Sequence, residues 1–143
     1  MIVNALTVDP IVSAQGVNGY NSTFEGSYTP TWSGLANVNS LVAPGPWFYF
    51  RAMKTLFVSG TVDISINTAS TQVSAIYTLP PIGIGNFADV RQCAGTTINY
   101  GSFLERRGVV NSVATTNTVR VAFMPGTYTG GDTQYITFSC RIP

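Results

Sequence analysis

Thr55-Leu-Phe-Val-Ser-Gly-Thr-Val-Asp-Ile-Ser-Ile-Asn67 is the stretch on which the fold turns. Leu56, Val58, Val62, Ile64 and Ile66 occupy even positions, and Ser59, Thr61, Asp63, Ser65 and Asn67 occupy odd ones. Successive side chains of a strand point to opposite faces, so this alternation predicts one long strand with a dry face and a wet face. Phe57 is the one apolar residue on the wet side. Gly60 falls in the dry row, which suggests a bulge or the close approach of another backbone. At ~3.3 Å per residue the strand would run about 40 Å, long for a small domain, and a central place in an antiparallel sheet is expected.

Working outward, Trp47-Phe-Tyr-Phe-Arg51 puts aromatic bulk on both faces of a second strand, and Ala52-Met-Lys54 is short enough to make the two a hairpin. Gly26 to Trp32 reads as a first short strand, confined by Pro30 to an edge or a strand end. Ser33 to Ser40 reads as a polar loop. Further strands are expected over Val73–Leu79, Asp89–Asn99 (interrupted near Gly95), Val109–Val113, Thr118–Phe123 and Thr133–Ile142. In the last, Ile136, Phe138, Cys140 and Ile142 face inward. The loop expected before it runs from Pro125 to Asp132. No segment combines a 3.6-residue apolar stripe with a cap and good helix formers. The expected fold is all-β: a single antiparallel β-sandwich or jelly roll of about seven or eight strands over residues 26–143.

Residues 1–25 show neither period. Their apolar members, Ile2, Val3, Leu6, Val8, Ile11 and Val12, come in pairs between turn residues. An extended N-terminal arm is expected, which buries those side chains on its own domain or on a neighbour. The segment lacks the positive region of a signal peptide, and no apolar run approaches the ~20 residues of a membrane-spanning helix. Use without export and without membrane insertion is the expectation.

Charged residues make up only 9% of the 143, with seven Lys and Arg against six Asp and Glu. Soluble domains average about 25%. There is no basic field for nucleic acid. A surface so poor in charge points to coverage by other subunits, and a homo-oligomer is expected.

Catalytic chemistry finds little support. The chain has no histidine, which removes the usual general base and metal ligand. The acids are scattered, Gly83-Ile-Gly85 is explained by a turn, and no metal-ligand spacing occurs. No catalytic residue, cofactor or metal is expected. Cys93 and Cys140 could form one bridge, but the reading preferred from the residues is two buried thiols acting as small hydrophobes. The aromatics Trp32, Trp47, Tyr49 and Tyr77 are candidates for a sugar platform or a subunit interface. Arg106 and Arg107 are candidates for contact with an acidic partner surface.

Several motifs are familiar together. Gly26-Ser-Tyr-Thr-Pro-Thr-Trp32 resembles the opening of a family of small tailed-phage structural and tail-fibre domains. Leu56 to Asp63, Tyr77-Thr-Leu-Pro80, Asn86-Phe87, Gln92-Cys-Ala-Gly-Thr-Thr97 and Tyr135 to Cys140 follow in a similar order. The resemblance spans about residues 26–142, and departs over Ser102–Arg107 and Pro125–Asp132. It implies a virion protein with no catalytic residues. The expected role is a capsid decoration or cement protein on the head, a homotrimer assembled in the host cytoplasm and bound to the major capsid protein lattice. The alternative is a receptor-binding tip carried by a tail-fibre shaft and recognising host surface glycan. The absence of heptads or a collagen-like run favours the head.

Overall fold

A computed structural model describes residues 23–99 and 106–143. Ten strands occur among them and no helix: β1 (Thr23–Tyr28), β2 (Trp32–Ala36), β3 (Val38–Val42), β4 (Trp47–Ala52), β5 (Thr55–Ile66), β6 (Val73–Thr78), β7 (Cys93–Asn99), β8 (Gly108–Ser112), β9 (Thr118–Phe123) and β10 (Gly130–Arg141). All strand pairs are antiparallel, in the order β1-β4-β5-β10-β7-β8-β9-β6-β2, with β3 added on β5. The result is a curled half-barrel sheet.

The organising strand is β5. It pairs with β10 along its whole length, from Thr55↔Arg141 to Ile66↔Gly130, without a register shift. Its other edge is shared. The first part pairs with β4 (Ala52↔Thr55 to Phe48↔Ser59), and the last part with β3 (Val42↔Asp63 to Val38↔Ile66). At the gap between them the Trp47 indole lies over Gly60, where an added Cβ would sit 2.2 Å from the ring. Trp47 Nε1 donates to the Thr61 carbonyl at 3.0 Å, satisfying a carbonyl at the break between the two partner strands. Gly60 therefore marks the approach of a side chain, and neither a bulge nor a second backbone. Its lack of a Cβ is what admits the largest side chain of the core.

The expected polar loop Ser33–Ser40 is instead two strands. β2 pairs with β6 and β3 with β5, and the chain turns between them at Asn37, in the left-handed region at φ 60. Asn tolerates that conformation better than most residues. Its side chain also holds the bend: Nδ2 donates to the carbonyls of Thr68 (2.8 Å) and Thr71 (2.7 Å), and Oδ1 accepts from Thr68 N. One bent segment thus joins the two margins of the curled sheet. The polar composition that suggested a loop reflects strands whose residues are mostly exposed or half-buried.

The even residues of β5 are buried, except Gly60, which is half-buried. They pack with Val73, Ala75 and Tyr77 of β6, Val119, Val121 and Phe123 of β9, and the inward side of β10. The β4–β5 hairpin turns at Met53-Lys54 as expected. β7 begins at Cys93, since Asp89 to Gln92 form a turn. Gly95 lies within β7 without interrupting it. Its Cβ would fall 2.2 Å from the Thr137 carbonyl, so its glycine allows β7 and β10 to pack closely. Cys93 and Cys140 are directly opposed across these two strands, with Cα atoms 4.0 Å apart, and they are joined as a disulfide. The free-thiol reading is corrected by register, which linear sequence does not display.

Candidate interaction surface

Register assigns each outward side chain to a row. One row runs Phe50–Phe57–Ser139–Ala94–Asn111 across β4, β5, β10, β7 and β8. The next runs Phe48–Ser59–Thr137–Thr96–Val109 across the same strands. Neither row carries a charge. At its β4–β5 side stand three phenylalanines, Phe48, Phe50 and Phe57, with 61%, 42% and 49% of their surfaces exposed. Phe50 and Phe57 lie ring to ring, 6.4 Å between centroids. Beside this ridge an open groove is floored by small side chains of β10 and β7. Exposed Val109 follows Thr96 in register on β8, and exposed Tyr135 and Ile98 form the next row along β10 and β7.

Scattered surface apolar residues are ordinary, but contiguous patches of several hundred Å² mark interaction sites. With about 150–250 Å² per aromatic side chain, Phe48, Phe50 and Phe57 expose on the order of 300 Å² together. That is comparable with the largest patch on a typical monomer.

The residues singled out from sequence lie elsewhere. Trp47 is fully buried, against Tyr77 at 5.1 Å and Tyr28 at 6.3 Å. Tyr49 and Trp32 are half-buried against the same core. Trp47 is therefore not a surface contact. In the Trp47–Phe50 run the face assignment is the reverse of the one expected: tryptophan and tyrosine point in and the phenylalanines point out. The cause is register, since Tyr49 opposes buried Val58 and Phe50 opposes exposed Phe57. The signal was nonetheless present in Phe57, the one break in the alternation of β5. Tyr77 is buried, and desolvation pushes its phenol pKa up, as it does for Tyr28.

Arg106 is also not a surface cation. It is buried, its Nε donates to Asp132 Oδ2 at 2.9 Å, and its guanidinium lies 4.1 Å over the Tyr128 ring. Gln134 Nε2 donates to the same carboxylate oxygen at 2.7 Å, and Thr97 Oγ1 donates to Gln134 Oε1 at 2.7 Å. Arg107 is exposed. Ile2, Val3, Leu6, Val8, Ile11 and Val12 lie outside the described residues. Of the residues 1–25 read as an arm, Thr23, Phe24 and Glu25 belong to β1 and pair with Ala52, Arg51 and Phe50.

Among the described residues no three potential metal ligands cluster, and no helix is long and apolar enough to cross a membrane. Three of the described acids are engaged within the chain. Asp63 accepts from Thr133, Asp89 is bound by Arg91, and Asp132 by Arg106. No protein-family model, curated protein or solved structure matches this chain.

Proposed function

We propose that the chain is a non-enzymatic structural protein of a tailed-phage virion, a decoration or cement protein that binds the assembled head and stabilises it. In this reading the curled sheet serves as a flattened sandwich and the protein works in several copies. The observation that carries the proposal is the exposed phenylalanine ridge of β4 and β5, set in two rows that carry no charge from β4 to β8. A chain with net charge +1 and such a face gains by having it covered. The resemblance of residues 26–142 to phage structural domains supplies the virion as the setting. Cementing is then mass action. A protein that binds only the assembled shell stabilises it by RT ln(1 + [L]/Kd), about 2.7 kcal/mol per site at a hundredfold excess over Kd.

The exposed aromatics favour protein contact over sugar. Sugar sites combine a flat ring with placed polar groups. Here Trp47 is buried and Trp32 half-buried, while the ridge consists of phenylalanines without a hydrogen-bonding atom.

Immunogold electron microscopy of purified virions tests the proposal. Gold over the heads is the expected result. Gold confined to the tail end would replace the proposal with the receptor-binding reading, and intact virions without gold would overturn both.

A further inference from the structure

The face described above carries both halves of a contact. On β4 and β5 it rises in a ridge of Phe48, Phe50 and Phe57. On β10 and β7 it falls to a trough of Ala94, Thr96, Thr137 and Ser139, all short side chains. Strands are spaced ~4.8 Å apart, so a trough two strands wide offers roughly 10 Å, enough to seat a row of phenyl rings. We infer that this face is a two-fold contact between two copies of this chain, the ridge of each seated in the trough of the other.

Three features select a second copy. First, ridge and trough are adjacent on one face and point the same way. A two-fold axis running along the strands above the β5–β10 boundary exchanges β5 with β10 and β4 with β7. It places ridge over trough twice. A three-fold ring, the arrangement expected from the sequence, needs its two complementary patches turned toward different neighbours.

Second, the flanks of the same row are oppositely charged. Glu25 of β1 pairs in register with Phe50, and Arg120 of β9 pairs with Asn111. Both are exposed. The same axis brings Glu25 of one copy over Asn111 of the other, whose in-register neighbour is Arg120.

Third, the area suits the core of a dimer. About 300 Å² of exposed ring per copy is more than a third of the ~800 Å² that each partner buries in a standard interface, and the small polar side chains around it supply a rim.

The inference rests on the assembly reading and gives this face to a second copy, which leaves the head contact to another surface of the dimer; it fails separately, since it is read in solution and virion labelling is not. Sedimentation velocity of the full chain, from about 1 to 100 µM, should show a species of twice 15.3 kDa. Phe57→Ser, and independently Thr137→Arg in the trough, should each weaken association by at least ~10-fold while near-ultraviolet circular dichroism stays native. Glu25→Arg should weaken it by a few-fold, and adding Arg120→Glu should restore it. A chain monomeric throughout this range overturns the inference. So does a trimer, or a dimer that neither the ridge nor the trough variant disturbs. Two variants at separate positions guard against one that fails to fold. Should Glu25→Arg weaken the dimer with no recovery in the double variant, the two-fold axis placed here is wrong.

Discussion

Two regions of this domain break the rule of apolar inside and polar outside, in opposite directions. At one end of β10, Arg106 and Asp132 are buried with Gln134 and Thr97. On the outer face of β4 and β5, three phenylalanines stand in solvent. The buried polar groups have their partners within the chain, and among the described residues no buried side-chain nitrogen or oxygen lacks one. The phenylalanines do not have theirs. A violation that the fold satisfies internally is structural. One that it leaves unsatisfied is a place for something else to bind.

The largest effect should come from the buried side of this comparison. Asp132→Ala leaves the Arg106 guanidinium without its carboxylate and should cost about 3–5 kcal/mol of stability, read from urea unfolding. A loss below about 1 kcal/mol would mean the network is dispensable, and the contrast between the regions would lapse. Next, Cys93→Ala with Cys140→Ala should lower stability by about 2–4 kcal/mol. The native chain should show no reactive thiol after unfolding without reductant, and a titre of two thiols would refute the pairing. Gly60→Ala should cost about 1–3 kcal/mol by pressing a methyl into the Trp47 indole. In a Trp47→Phe background the cost should shrink, and strict additivity would show that the ring and the glycine are uncoupled.

On the exposed side, Phe57→Ser should change the unfolding free energy of the isolated chain by no more than ~0.5 kcal/mol. A loss of several kcal/mol would show that the ridge belongs to the core after all. The smallest effect concerns Asp89. Hydrogen bonds from the Arg91 side chain and backbone lower its pKa from 3.8 to about 2. The carboxylate is favoured in the folded state, so its contribution is full above pH 3.8 and is lost as pH falls toward 2. Nuclear magnetic resonance titration of the side-chain carboxyl should find that midpoint, and an ordinary one near 4 would remove the Arg91 contact from the account.

How much of this was legible beforehand varies with the range of the interaction. Alternation in β5, β9 and β10 identified their inward faces correctly, because a face buried along its whole length imprints a period of two. The same period located β6 and the β4–β5 hairpin. It failed where both faces of a strand carry similar side chains. Trp47-Phe-Tyr-Phe50 is aromatic on both sides, so composition could not say which side is inside. It failed too for Ser33–Ser40, whose strands are largely exposed and hold little apolar residue to pattern. Arg106 looked available to an acidic partner because its own counter-ion, Asp132, lies 26 residues along the chain.

By itself, then, the sequence determined that the protein is all-β, that β5 is its organising strand, and which residues share a face in the strands whose period it displays. Those are consequences of local geometry, the two-residue repeat of extended backbone. The tertiary structure decided which face is inside, which cysteines meet and which charges pair. Each depends on the register between strands distant in the chain: one residue of slip would turn Phe50 and Phe57 inward and carry Cys140 away from Cys93.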